Sequence, residues 1–144
     1  MQAAVGVAQL KKLPAFIERR RRNFSRLHNA LLPVRDKLIL PEACPGSKPS
    51  WFGFLITCRH GVERSRLVRE LEGKGIQTRM LFAGNLVKQP AFDDMRGSGI
   101  GYRQIGDLAV TDEIMSRTFW VGVYPGMTDG MIDYMGRVIT GCVL

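Results

Sequence analysis

Cysteine and histidine are scarce in this chain: three and two among 144 residues. Cys44, Cys58 and Cys142 are widely spaced, and no CxxC pair exists from which local spacing could build a zinc or iron–sulfur site. They read as reduced thiols, with Cys58 and Cys142 at apolar positions. Neither His28 nor His60 stands in a sequence pattern with Ser or Cys that suggests a nucleophile–base pair. His28 reads as a surface or interface residue of a helix, His60 as a turn residue. No uninterrupted apolar run is long enough to span a bilayer. No secretory leader is visible, because the basic residues near the start follow the apolar ones. These features predict a cytoplasmic protein with no membrane partner. Acidic residues are few, 13 against 21 basic, for a net charge of +8. Such an excess invites a nucleic-acid reading. However, Arg19, Arg20, Arg21 and Arg22 are consecutive, and at about 100° per residue they go round a helix rather than along one face. The other basic residues lack the aromatic interleaving that stacks bases. A basic nucleic-acid-binding module is therefore the weaker alternative.

The length suits one domain of ordinary globular composition, with 45% hydrophobic residues. Val5, Ala8, Leu10, Leu13, Phe16, Ile17, Phe24, Leu27 and Leu31 keep helical spacing, with Pro14 kinking or restarting the helix and Pro33 stopping it. Part of this apolar face exceeds what a small sheet covers, and it could pack on another domain or subunit. No capping residue precedes Gln2, so the chain reads as starting inside a helix. A Pro-rich loop, Pro41 to Ser50, leads to a strand over Trp51 to Arg59, and a helix follows over Gly61 to Gly75 with Val62, Leu67, Val68 and Leu71 inward. A second strand covers Ile76 to Phe82, and Ala83 to Tyr102 reads as an irregular loop. Asp107 can cap a helix running to about Arg117, a third strand covers Thr118 to Tyr124, and Thr128 caps a last helix. The expectation is an α/β domain: a three-stranded sheet packed by helices and preceded by a long kinked helix. Residues 1–33 form the leading helix and residues 34–144 the α/β domain.

Thr78 to Phe92 (TRMLFAGNLVKQPAF) is the most informative segment. Arg79, mounted on a strand, could offer a guanidinium fork to a phosphate or carboxylate, or could pair with an acidic neighbour. Asn85, Lys88 and Gln89 follow in the loop. Lys88 reads as a solvated lysine rather than a Schiff-base former, and Gly97, Gly99 and Gly101 as loop flexibility rather than a GxGxxG phosphate cradle.

With the opening MQAAVGVAQLKKL, the basic helix FIERRRRNFSRLHNALL, WFGFLITC and GDLAVTDEIMSRTFWVGVYPG, this segment resembles the DegT-type family of sugar aminotransferases and dehydratases. The family consists of fold-type-I enzymes using pyridoxal or pyridoxamine phosphate. The likeness is strongest to its 3-dehydrase branch, which serves the 3,6-dideoxyhexoses of lipopolysaccharide O-antigen. The resemblance implies a C-terminal small domain plus the helix leading into it, with a large cofactor-binding domain absent. It also implies a nucleotide-sugar substrate, a reductase partner and a homodimer. The Schiff-base position and the ligands of a 2Fe-2S cluster would lie upstream, so no catalytic residue, cofactor ligand or cluster is carried onto this chain. Where family aminotransferases follow the TR pair with a His-Tyr type of sequence, this chain has Leu81 and Phe82, which removes a titratable ring and fits a dehydrase. Arg79, Phe82, Asn85 and Gln89 are the expected substrate-binding residues. Arg79 would serve phosphates or a carboxylate, Phe82 would pack on sugar or cofactor, and the two amides would hydrogen-bond sugar hydroxyls.

Overall fold

A computed structural model describes residues 2–144. Helix α1 (Gln2–Leu10) is interrupted at Lys11 and Lys12, and α2 (Leu13–Leu31) restarts with Pro14 in its first turn, where a missing N–H costs nothing. A 3₁₀ turn at Leu32–Val34 carries Pro33 and ends the helical run. The strands are β1 (Leu38–Ile39), β2 (Gly53–Cys58), β3 (Thr78–Met80) and β4 (Thr118–Gly122). Helix α3 (Arg64–Gly73) joins β2 to β3. Helices α4 (Asp93–Ser98) and α5 (Ala109–Arg117) lie between β3 and β4, and α6 (Asp129–Val143) closes the described chain. Thr128 caps α6, its hydroxyl accepting from the Met131 amide at 3.3 Å.

The sheet has four strands rather than three, in the order β1-β2-β4-β3, and every neighbouring pair is antiparallel. The extra strand is two residues long, too short for any periodicity to announce it. Strand β4 lies between β2 and β3, so the β2–α3–β3 connection steps over it as a split βαβ unit.

Strand alternation sorts the two faces. Phe54, Ile56 and Cys58 of β2 and Phe119 and Val121 of β4 are buried. They meet Leu27 and Leu31 of α2, Leu67 and Leu71 of α3, and Ile132 and Ile139 of α6. Each such side chain contributes about 1.5–3 kcal/mol of burial. Leu27, Leu31 and Val34 share one core with the sheet, so packing runs straight across residue 33. The opposite face carries Leu55, Trp120 and Arg79, with Trp120 opposite Leu55 on one side and Arg79 on the other.

Helices α2 and α6 run side by side in the same direction. Gly136 is their closest approach: a Cβ there would stand 2.7 Å from the Ala30 Cβ. Beside this contact, the arginine run meets carboxylates. Arg19 lies 3.0 Å from Asp129, Arg22 reaches the same carboxylate, and Arg26 bonds Asp133 through Nε at 2.6 Å and Nη2 at 2.7 Å. At spacings of three and four, Arg19, Arg22 and Arg26 do share a face, and that face is spent inside the chain. Arg19 also donates to the Met127 carbonyl at 2.9 Å, and buried Asn23 donates to that of Tyr124 at 2.9 Å. These bonds hold the turn between β4 and α6. By contrast, α1 buries none of its residues, and Val5, Val7 and Leu10 are exposed. Among the described residues no helix is long and apolar enough to cross a membrane.

Two outcomes follow from this helix pair. Gly136→Ala should cost about 1–2 kcal/mol in denaturant unfolding, because overpacking outweighs the gain in helix propensity. Ala30→Gly in the same chain should recover part of the loss. The Asp133 carboxyl is held below its ordinary value chiefly by its hydrogen bonds from Arg26. A depressed carboxyl stabilises the fold above the unfolded value, about pH 4, and loses that contribution as pH falls through the folded value. The melting-temperature gap between wild type and Asp133→Asn should therefore be constant near neutrality and shrink below about pH 4. A gap independent of pH would mean that the ion pair contributes nothing.

Candidate functional site

Strand β3 delivers the chain to a sharp reversal. The Phe82 amide donates back to the Met80 carbonyl at 2.8 Å, and Phe82 has φ of +46°. Leu108, which opens α5, has φ of +58°. Among the described residues these are the non-glycine residues with positive φ, and they bracket the excursion between β3 and α5. A left-handed backbone at a bulky residue costs about 1–2 kcal/mol. The Phe82 side chain does not repay that cost by burial, for it is 85% exposed.

Inside the excursion the polar groups satisfy one another. Asn85 is 2% exposed. Its Oδ1 accepts from the Val87 amide at 3.1 Å, and its Nδ2 donates to Asp112 Oδ1 at 2.8 Å. Lys88 Nζ donates to Asp112 Oδ2 at 2.6 Å. The hydrogen bond from Lys88, then that from Asn85, holds the Asp112 carboxyl below its ordinary value. Gln89 Nε2 donates to the Ala83 carbonyl. Gly84 has φ of +62°, and a Cβ there would lie 2.6 Å from the Met115 side chain, so both conformation and space require glycine. The stretch expected as an irregular loop thus holds 3₁₀ turns at Leu86–Lys88 and Pro90–Phe92 and the helix α4. Local polar bonds, not a hydrophobic period, build them.

The four expected site residues are divided by the structure. Arg79 and Phe82 are exposed, Gln89 is half-buried, and Asn85 is buried with its amide committed to Val87 and Asp112. Arg79 has no acidic partner among the described residues; one Nη donates to the carbonyl of Thr78 at 2.9 Å. It borders a cavity of about 770 Å³ between β3, the end of β4 and the first turns of α6. Trp120, Tyr124 and Tyr134 line this cavity, and the sequence reading passed over all three. The alternation of β4 was the available signal for Trp120, which points away from the face that buries Phe119 and Val121. His60 receives an Arg117 N–H at Nδ1, 2.8 Å away, in an exposed turn. Cys58 is buried, and burial pushes its thiol up to about 11, which leaves it inert.

Lys88, the lysine of the loop, has its ammonium committed to Asp112 rather than free to condense with an aldehyde. Among the described residues no three His, Cys, Asp or Glu side chains converge to hold a metal ion.

Sheet, helices and the strand-end segment together define a domain of the fold-type-I kind. Residues 1–140 match the DegT/DnrJ/EryC1/StrS aminotransferase family, and the chain belongs to it. It is 48% identical over 137 residues to lipopolysaccharide biosynthesis protein RfbH of Salmonella typhimurium, covering 94% of this chain and 30% of that protein. It is equally 48% identical over 137 residues to dTDP-4-dehydro-2,6-dideoxy-D-glucose 3-dehydratase of Saccharopolyspora spinosa, covering 94% of this chain and 28% of the relative. Among solved structures, Escherichia coli GDP-4-keto-6-deoxy-D-mannose-3-dehydratase with bound hydrated PLP superposes with a TM-score of 0.78 at 28% identity, over 94% of this chain and 34% of that one. The chain therefore spans about a third of the length of these relatives.

The division of labour in the excursion can be measured. Asn85→Ala leaves Asp112 and the Val87 amide short of a partner and should destabilise by about 1–3 kcal/mol. Phe82→Gly removes an exposed ring and relaxes a left-handed residue, so stability should stay within about 1 kcal/mol of wild type. Chemical denaturation of both variants checks the contrast. A large loss in Phe82→Gly would mean that the ring is structural.

Proposed function

We propose that this chain is the C-terminal part of a pyridoxamine-phosphate-dependent 3-dehydratase acting on a nucleotide-linked 4-keto-6-deoxyhexose, in the making of O-antigen 3,6-dideoxysugars. The observation that carries this reading is the 48% identity, over nearly the whole chain, both to a lipopolysaccharide biosynthesis protein and to a sugar 3-dehydratase. The apolar pair Leu81 and Phe82 supports it, since no titratable ring follows Thr78 and Arg79.

Bound in the whole enzyme, the cofactor would supply the electron sink for loss of the C3 hydroxyl. Residues 1–33 would lead in from the cofactor-binding domain, and the exposed apolar side of α1 would pack on it. The enzyme would work as a cytoplasmic homodimer with a reductase partner, and a 2Fe-2S cluster, if the whole enzyme carries one, would lie outside this chain. This chain's own share is to wall the cleft. Phe82 would present an apolar face to the sugar or cofactor and keep water away. Arg79 would hold substrate phosphates by a strand-mounted bidentate fork. Asn85 and Gln89, with their amides engaged inside the segment, would keep Phe82 in place and offer what hydrogen-bonding capacity remains to sugar hydroxyls.

The full-length enzyme tests the reading. With substrate, pyridoxamine phosphate and a reductase, it should yield a 3-deoxy sugar. An exclusively 4-amino product would overturn it in favour of a nucleotide-sugar aminotransferase of the same family. Arg79→Ala should lower kcat/KM by about 10- to 100-fold, equivalent to about 1.4–2.8 kcal/mol, with melting temperature nearly unchanged. A fall in stability with activity per folded molecule intact would make Arg79 structural.

A further inference from the structure

The excursion after β3 is tied to the body of the domain through one face of α5. Asp112 and Met115, three residues apart on that helix, share this face. Asp112 receives the Asn85 side-chain amide at 2.8 Å and the Lys88 ammonium at 2.6 Å. Met115 makes the second tie. Its Sδ accepts the backbone N–H of Asn85 at 3.2 Å. Its side chain also lies so close to Gly84 that a Cβ there would stand 2.6 Å from Cγ and 2.8 Å from Sδ. Asn85 is buried, so an N–H released by the sulfur would be left without a solvent partner.

A thioether is a weak acceptor, and unlike a carbonyl it can be oxidised. Met115 is 37% exposed, so an oxidant in solvent reaches the side chain. With hydrogen peroxide the step balances. A lone pair of Sδ attacks one peroxide oxygen, the O–O bond breaks, the sulfide loses two electrons to become the sulfoxide, and the peroxide is reduced to water. The product is polar, bulkier and chiral. Oxygen on the lone pair that faces Asn85 would drive the amide away from the sulfur. Oxygen on the other lone pair turns a packed thioether into a group that seeks water. Both lift Met115 off Gly84, where no spare room exists. The other partly exposed methionines are placed differently. Met80 Sδ receives a guanidinium N–H of Arg64 at 2.6 Å, a side chain that can move with it. Met95 packs on Gly101 inside the excursion, where a Cβ would lie 3.6 Å from its Sδ, and Met131 is on α6. Among the described residues, Met115 is the methionine whose sulfur holds a backbone N–H.

We propose that Met115 is a site of reversible oxidation by peroxide, and that its sulfoxide releases residues 84–88 from α5, leaving Asp112 as their remaining tie. The segment follows directly on Phe82, so its release also frees the left-handed turn there. Any effect on substrate binding rests on the dehydratase reading above; the modification itself does not. The 144-residue protein is treated with hydrogen peroxide at neutral pH, peptide mass mapping assigns each sulfoxide, and amide hydrogen exchange is followed by NMR. The Asn85 and Val87 amides should exchange about tenfold faster or more once Met115 is oxidised, while those of β2 and β4 keep their protection. Methionine sulfoxide reductases acting on both epimers should restore the slow exchange. Met115→Leu keeps the apolar volume and should fold. Its exchange in this segment should not change further on adding peroxide, whereas Met95→Leu and Met131→Leu should respond as wild type does. The proposal is overturned if Met115 stays reduced while the similarly exposed Met95 is oxidised, if oxidised Met115 leaves the Asn85 amide as protected as before, or if Met115→Leu responds to peroxide like wild type. Each of those results would leave 3-deoxy sugar formation by the full-length enzyme untouched, so the two readings fail separately.

Discussion

The seam between α2 and α6 is the constraint on which the rest depends. It brings two helices more than a hundred residues apart in sequence to within a glycine's width, at Gly136 against Ala30. Steric contact alone would leave the helices free to slide. The pairs from Arg19, Arg22 and Arg26 to Asp129, which all three share, and from Arg26 to Asp133 tie the two helices together along the seam. These pairs are partly exposed, so each contributes little by itself. With Asn23 and Arg19 bonded to the carbonyls of Tyr124 and Met127, the seam sets the turn leaving β4 and with it one wall of the cavity.

The sheet separates stability from recognition by its alternation. Its inner face is sealed by α2, α3 and α6, and its buried residues are aliphatic, aromatic or thiol. Its outer face keeps Trp120 and Arg79 side by side on neighbouring strands without burying either completely. Substitution on one face therefore changes folding, while substitution on the other changes what the surface can bind. Strand β3 is a short edge strand, yet it matters beyond its length, because it sets Arg79 beside Trp120 on the outer face and delivers the chain to the reversal at Phe82.

Much of this was legible in the sequence, and the exceptions have physical causes. The three longer strands, the break at Pro14, the Thr128 cap and the inward residues of α3 all follow from local signals. Strand β1 escaped because two residues carry no period. The excursion after β3 was misread because Asn85, Gln89 and Asp112 fold it through polar bonds that hydrophobic spacing does not register. The partners of the arginine run stayed hidden for a different reason. Consecutive arginines go round a helix, as expected, but Arg26 extends the row of Arg19 and Arg22, and the matching carboxylates lie about 107 positions away. No local reading can find that partner. The candidate site was half visible: the segment was singled out from its residues, whereas Trp120, Tyr124 and Tyr134 enter only when β4 and α6 are placed beside β3.

Burial also decides which polar residues remain available to a ligand. A side chain can satisfy the fold or a ligand with the same donor, but not both at once. Asn85 and Lys88 are committed to Asp112, and Gln89 to the Ala83 carbonyl. Asn23 and Arg19 are committed to the turn before α6. Along β3 and its continuation this leaves Gln77, most of the Arg79 fork and the Phe82 ring without a structural employer. Phe82 is the most telling of the three. Packing gives no reason to hold an exposed phenylalanine in a left-handed conformation, and a glycine would serve the turn better. Strain kept without a return in burial points to a contact made outside this chain's own core, which is where a substrate or a neighbouring domain would lie.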